Sequence, residues 1–249
     1  MNPVIEQMFR HRSIRKFKEQ QLSDRQIRTI VEAAQRASTS NYYQAYSIIG
    51  VTDPIIKKEI ADLSGHEHVE RSGHFFVFCA DLLRLIERAE SVTRAKLKEN
   101  LENTEHFLVA VIDAALAAQN ASLAAESMGL GICYIGGIRN DMKRVDELLK
   151  LPEFVIPLFG LAVGYPDHDP GVKPRLPLEA VYFENIYCHD EAVYTRALEN
   201  FDETLKKYYA ERATNRRHDT WSDQIQRKLI RPVRSEVTEY VQSKGMNKI

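Results

Sequence analysis

The chain has 249 residues, of which 44% are hydrophobic and 28% charged, with a formal net charge of −1. This is ordinary soluble globular composition, long enough for one large domain or two small ones around a sizeable core. A near-zero charge speaks against nucleic acid as the main partner, because binding a phosphate backbone needs a positive surface.

Cys79, Cys133 and Cys188 are odd in number, far apart and without a C-x-x-C pair. That spacing predicts neither a disulfide scaffold nor a zinc knuckle. Cys79 and Cys133 lie in apolar runs and read as small buried hydrophobes. No apolar run follows the N-terminus, so no secretory signal is predicted. The longest apolar stretch, Phe107 to Ala118, is broken by Asp113. It falls short of the roughly 20 residues a bilayer span takes. The expectation is a cytoplasmic protein without a membrane partner.

In chain order, a short helix runs to Phe9 and leads into His11-Arg12-Ser13-Ile14-Arg15. Two guanidiniums, an imidazole and a hydroxyl in five residues suit a phosphate. Arg12 and Arg15 share a face if the segment is helical or turn-like. A solvated basic helix end is the alternative. Ser23 and Gln26 have capping-box spacing, and Ile27, Ile30, Val31 and Ala34 form one apolar stripe behind them. The hydroxyl-rich Ala37–Asn41 segment is either an ordinary loop or the donor-rich wall of a polar ligand site.

Gln44 to Thr52 predicts a strand, and Asp53-Pro54 a capped helix start, with that helix ending near Ser64-Gly65. His66, His68 and His74 fit no metal-ligand spacing and read as a polar loop. Phe75–Ala80 predicts a fully buried strand, and Asp81 a cap for the next helix. One long helix is predicted from about Leu97 to Met128, its second half alanine-rich, which reads as central and buried or as a subunit contact. Gly131–Gly137 reads as a strand entering a glycine turn, where a ligand can press on backbone amides. A helix follows. The turn is not G-x-G-x-x-G, so a dinucleotide-binding Rossmann unit is rejected. Val155–Val163 is a strand whose Pro157 suggests an edge or a bulge.

After Asp167 the texture changes. Lys173-Pro174-Arg175 is a stiff basic loop, a helix-rich stretch runs from His189 to about Glu211, and Arg212–His218 is densely basic. The latter is a solvated patch, or a receiver for an anionic ligand or nucleic acid. The tail from Trp221 is amphipathic and is expected to tie down on a neighbour. There is no repeat and no linker.

Together these segments resemble the oxygen-insensitive, FMN-containing nitroreductase and flavin reductase family, in its longer NADPH-preferring branch. The carriers are the pentad, Gly73–Asp81, Ala117–Asn120, Ala124–Gly131, Tyr134–Asn140, Pro157–Leu161, Lys173–Pro177 and Asp219–Asp223, spread over nearly the whole chain. The resemblance implies an α+β fold with a mainly antiparallel sheet flanked by helices. It also implies an intertwined homodimer and one domain over 1–249 with a C-terminal helical arm from about 189. Two FMN molecules would sit between the subunits.

The resemblance further assigns the FMN phosphate to His11, Arg12, Ser13, Ile14 and Arg15, with Lys173 and Arg175 adding charge. Thr39, Ser40 and Gln44 would line the flavin, and Tyr134, Ile135, Gly136 and Gly137 would pack along its ring. His66 stands where related sequences carry glutamine near the flavin. Arg212 and Arg217, with Arg216 beside them, match the positions that receive the NADPH 2′-phosphate. The implied reaction is ping-pong hydride transfer through the flavin N5 to free flavin, nitroaromatics or quinones, with no catalytic side chain and no metal. The alternative is a flavin-binding or sensor protein without significant turnover. It is disfavoured because a pure flavin binder needs no nicotinamide phosphate site. A nucleic-acid binder using Arg212–His218 ranks last.

Overall fold

The computed structural model describes residues 1–187, 190–212 and 216–249, so Cys188, His189 and residues 213–215 of the basic loop lie outside the description. The chain divides into two compact units. Residues 1–170 with 234–249 make one, and residues 171–233 the other. The first unit contains α1 (Pro3–Phe9), α2 (Asp24–Ala34), α3 (Pro54–Ser64), α4 (Ser91–Leu101), α5 (Thr104–Ser127) and α6 (Met142–Leu149). The second contains α7 (Glu191–Glu211) and α8 (Trp221–Leu229), and α9 (Val237–Ser243) returns to the first.

Four strands pair antiparallel in the order β1-β2-β4-β3, with β1 Tyr46–Val51, β2 His74–Asp81, β3 Gly131–Ile135 and β4 Val155–Gly164. Every residue of β2 is buried, as a continuous apolar run requires. Side chains alternate along a strand, so Phe76, Phe78 and Ala80 enter one core while Phe75, Val77 and Cys79 enter another. The first core packs against α2 and α5, the second against α3 and Ile14. The expected α+β class is what the strands and helices form, and Cys79 and Cys133 are free and buried.

Local signals placed several boundaries. Ser23 and Gln26 make both bonds of a capping box at α2. Asp53 accepts from the Ile55 and Ile56 amides at α3, and Gly65 closes that helix in the left-handed region at φ 70°. The tail is tied down as expected: Tyr240, Val241 and Met246 are buried in the first core, and the Tyr240 hydroxyl donates to Asp146 at 2.7 Å.

Two expectations need correction, and a third is resolved between its two alternatives. The single helix over 97–128 is two, α4 and α5. Asn103 breaks them by capping the His106 amide at 3.0 Å, which satisfies a new helix start where apolar periodicity alone runs on. Asp81 opens only the short 3-10 turn Leu83–Leu85 rather than a full helix. Of the two readings of Pro157, edge or bulge, the bulge holds, since β4 is an interior strand. The proline is tolerated because it sits beside the register shift at Phe78/Cys79 and beyond the reach of β3, which pairs only with residues 160–164.

Among the described residues His68 and His74 are buried, each with an unpartnered Nε2, and His168, half-buried, has an unpartnered Nδ1. Burial, and for His74 the charge of Lys57, pushes the pKa of His68 and of His74 down to about 4. In the unfolded chain a histidine protonates near 6.5. Between those values the unfolded state binds the extra protons, so stability falls as the pH drops from about 6.5 to about 4 and this contribution is flat above. His74→Leu should flatten the melting temperature's pH dependence across that window. An unchanged slope counts against a neutral buried His74.

Candidate functional site

The pentad follows α1 as an extended segment rather than a helix. Ser13 forms an isolated parallel bridge with Ile132 of β3, and the Ile14 amide donates to the Ile132 carbonyl at 2.9 Å. Alternation along extended backbone turns Arg12 and Arg15 to opposite sides, so the expected shared face does not exist. Ile14 is buried against Gly131, where a Cβ would lie 2.6 Å from the Ile14 side chain. The glycine is what lets the basic segment lie flat on the strand.

Arg12 turns to a polar recess that Arg10, Glu126 and Gly129 also line, and its Nε donates to Asp169 at 2.7 Å. His11 Nδ1 lies 2.7 Å from the Glu126 carboxylate at the end of α5. Arg15 is exposed, and among the described residues it is in no ion pair. Its positive charge bears on His66, His68 and Cys133, lowering the pKa of each. For the two histidines burial is the larger cause; for Cys133 burial outweighs Arg15 and pushes the thiol up.

The glycine turn continues from β3 as a 3-10 turn, Gly136–Asn140. Gly137 is pressed onto α3: an added Cβ would lie 2.4 Å from the Ser64 carbonyl oxygen. This approach sets Gly65 and His66 beside the turn. Nothing lies within 4 Å of a Cβ built on Gly65. The His66 and His68 rings are 5.1 Å apart, and burial, with the Arg15 charge, lowers the pKa of both. Tyr134 remains partly exposed, its hydroxyl sharing a 2.8 Å hydrogen bond with Ser122 and its ring edge-on to Phe159. The pentad, Tyr134–Gly137 and His66 therefore form one neighbourhood in a single chain.

Thr39, Ser40 and Gln44 do not join it. Their loop is held by Asp113 of α5, a completely buried carboxylate that accepts from the Ser40 amide at 2.9 Å and the Ala45 amide at 3.0 Å. Asn41, Tyr42 and Gln44 all have positive φ, a concentration of backbone strain that the anchor sustains. His11 is anchored thirteen residues further along the same helix, at Glu126. At 1.5 Å per residue the two anchors are roughly 20 Å apart.

In the second unit the basic residues gather on the Tyr208-Tyr209 pair, with Arg212 5.6 Å from the Tyr208 ring centroid. The Arg217 guanidinium lies 4.1 Å from the Tyr209 ring centroid, Lys173 Nζ 5.6 Å and Arg212 6.0 Å. Arg216 Nε donates to the Arg212 carbonyl at 2.8 Å, and Arg175 donates back to the Lys173 carbonyl at 2.7 Å. The structure brings Lys173 to Arg212 and Arg217, a grouping that sequence spacing did not suggest. Sequence reasoning also passed over Asp113, Glu126 and Tyr209. The signal for Tyr209 was the Tyr208-Tyr209 pair closing a helix just before the arginines.

The model of the nitroreductase family matches residues 8–165, and that of the nitroreductase family C-terminal domain matches residues 173–249. The chain belongs to the nitroreductase family. This nitroreductase is 53% identical over 249 residues to the FMN reductase (NADPH) of Bacillus subtilis, covering 100% of both chains. It is 43% identical to the oxygen-insensitive NADPH nitroreductase of Salmonella typhimurium, with 98% of each covered. The solved NADPH:FMN oxidoreductase from Vibrio harveyi complexed with NAD+ superposes with a TM-score of 0.89 at 39% identity, over 100% of both chains. Within the nitroreductase, the pentad and glycine turn fall in the first matched segment and the tyrosine-centred cations in the second.

Proposed function

We propose that this nitroreductase is an NADPH-dependent FMN oxidoreductase that reduces flat acceptors such as free flavin, nitroaromatics and quinones. The observation that carries the reading is the neighbourhood around Arg15. An extended cationic segment is hydrogen-bonded to a strand that runs directly into a glycine turn, with open space over Gly65 and an orphaned Nε2 on buried His68 beside it. These features fit a phosphate-bearing flat heterocycle: a free cation for the phosphate and an unobstructed backbone for the ring. FMN, when bound, supplies the two-electron carrier between NADPH and acceptor.

The chain's own part is binding and polarity. Arg15, Ser13 and His11 supply donors for the phosphate, and Arg12 shares its charge with Asp169. Tyr134, Ile135, Gly136 and Gly137 offer backbone and little bulk. Burial and Arg15 favour the neutral form of His66, which can give or take a hydrogen bond without adding a charge. Arg175 and Lys173 add positive potential, and Arg212, Arg216 and Arg217 receive the 2′-phosphate of NADPH. The sensor alternative has no use for that second set of cations.

The proposal includes a homodimer, with Thr39, Ser40 and Gln44 serving the flavin held by the other copy. Two observations support it. The roughly 20 Å between the Asp113 and Glu126 anchors separates the loop from its own pentad. Leu108, Ile112 and Leu116 also expose an apolar stripe at four-residue spacing along α5. The helix is apolar and long enough for a membrane span, but it packs against α2 and the sheet, which supports a core helix rather than a span. With the formal net charge of −1, the proposal is a cytoplasmic protein with no membrane or nucleic-acid partner.

The test is an anaerobic absorption spectrum. The purified protein, or the protein soaked in FMN, should show the two-banded flavin spectrum, bleach with NADPH and recover on adding a nitroaromatic. A protein that stays colourless in FMN rules the reading out. Arg217→Ala should raise the KM for NADPH roughly tenfold or more relative to that for NADH. Equal losses with both nucleotides would remove Arg217 from the phosphate site.

A further inference from the structure

The last two turns of α5 carry two side chains into the neighbourhood of the pentad. Ser122 and Glu126 are four residues apart on the helix and so share a face. The Ser122 hydroxyl lies 2.8 Å from that of Tyr134, and the Glu126 carboxylate meets His11 Nδ1 at 2.7 Å. The Glu126 side chain is 8% exposed and that of His11 31%, so the carboxylate is the buried partner and the ring reaches towards solvent. An ionised carboxylate can only accept, so Nδ1 carries the proton and donates. In the neutral ring no proton is left for Nε2, which is then an acceptor. A phosphate oxygen is an acceptor too, and a neutral His11 would meet it with a lone pair. Only the imidazolium, with both nitrogens protonated, can hold Glu126 and a phosphate at once.

We propose that Glu126 is a positioning residue for the cofactor's phosphate: it fixes one proton of His11 on Nδ1, so that FMN binding draws a second proton from solvent onto Nε2. This rests on the FMN reading above and adds Glu126 to that site, acting through His11. The solvent proton adds to the Nε2 lone pair, the imidazolium donates to the phosphate, and Glu126 stays ionised as its counter-charge. Glu126 stands in the last turn of α5, where the negative end of the helix also suits a positive ring. The other charges around the pair are Arg10 and Arg12, which line one recess with Glu126, and Asp169, which pairs with Arg12 at 2.7 Å. Arg15 is on the same extended segment, and its charge bears on His66 and His68. From β3 the titratable group is Tyr134, whose phenol burial pushes up, away from the histidine range.

The experiment titrates FMN into the full-length chain, freed of flavin, by calorimetry at about pH 8 in buffers of different ionisation enthalpy. At that pH an ordinary histidine is neutral and a phosphomonoester is already a dianion, so the phosphate itself takes up nothing. Wild type should take up roughly one proton per FMN bound, and none with riboflavin, which lacks the phosphate. Glu126→Gln keeps the shape and an acceptor for Nδ1 but removes the counter-charge. Its proton uptake should fall well below that of wild type. Its FMN affinity should drop roughly tenfold or more, the loss of one charge-assisted hydrogen bond. Riboflavin affinity and melting temperature should hold, which a merely structural role for Glu126 would not allow.

No proton uptake in wild type, or the same uptake with riboflavin, overturns the inference. So does a Glu126→Gln variant that takes up as much as wild type, because the proton then goes elsewhere, to His66 or His68. An equal weakening of FMN and riboflavin in that variant overturns it as well and leaves Glu126 a structural residue. If the chain binds neither flavin, the FMN reading itself is wrong. If FMN binds far more tightly than riboflavin but without a proton, that reading stands and the inference alone fails.

Discussion

Asp113→Ala should lower the melting temperature by roughly 10 °C and weaken flavin retention in the same variant. The carboxylate is fully buried and accepts two backbone amides, from Ser40 and Ala45. Bonds to a charged acceptor are worth roughly 1.5–3 kcal/mol each, and their loss leaves two amides without partners. That is about 3–5 kcal/mol, and a chain of this length shifts by roughly 2–4 °C per kcal/mol. The functional effect follows from the strain. Asn41, Tyr42 and Gln44 hold positive φ, and without the anchor the loop relaxes to other conformations. Asp113→Asn should fall between, since one amide would then face an NH2 group. A shift below 2 °C would mean the loop is held elsewhere. A large shift with undiminished FMN binding would take Thr39, Ser40 and Gln44 out of the flavin site.

Arg15→Ala should weaken FMN binding roughly ten- to a hundredfold and leave riboflavin affinity unaffected. Losing one charge-assisted contact costs roughly 1.5–3 kcal/mol, and riboflavin lacks the phosphate. Arg12→Ala should cost less, because Arg12 already shares its charge with Asp169 while Arg15 does not. The same substitution carries a second readout. Arg15 lowers the pKa of His66 and His68, so both should titrate higher by NMR in the variant. Equal weakening of FMN and riboflavin would move Arg15 from the phosphate to the ring.

Sequence reading reached furthest where the determinant was local. The Ser23/Gln26 box, the Asp53-Pro54 start and the buried run of β2 each involve residues within a few positions of one another. It failed where a distant backbone decides. Asp113 looked like an interruption of an apolar helix, and it is the anchor of a loop some seventy residues away. Arg12 and Arg15 looked like neighbours on one face, until pairing of Ser13 with Ile132 imposed an extended geometry. Nothing in the spacing of Lys173 pointed to Tyr209, and only the folding of α7 brings the two together. Motif order was enough to indicate the family, whereas the pairing of side chains within each site was not.

The bridge between Ser13 and Ile132 also orders events in time. The cationic segment is made first, but the strand it lies on leaves the ribosome about 120 residues later. At roughly 5–20 residues per second that is a delay on the order of ten seconds. Until then the pentad has no partner strand, and closing so long a loop is a late and entropically costly step. A nascent chain therefore exposes its basic N-terminal segment for about half of its synthesis, and on the proposed site it holds no cofactor over that time. If the proposed phosphate site is right, cofactor capture follows the docking of this segment on β3 rather than preceding it.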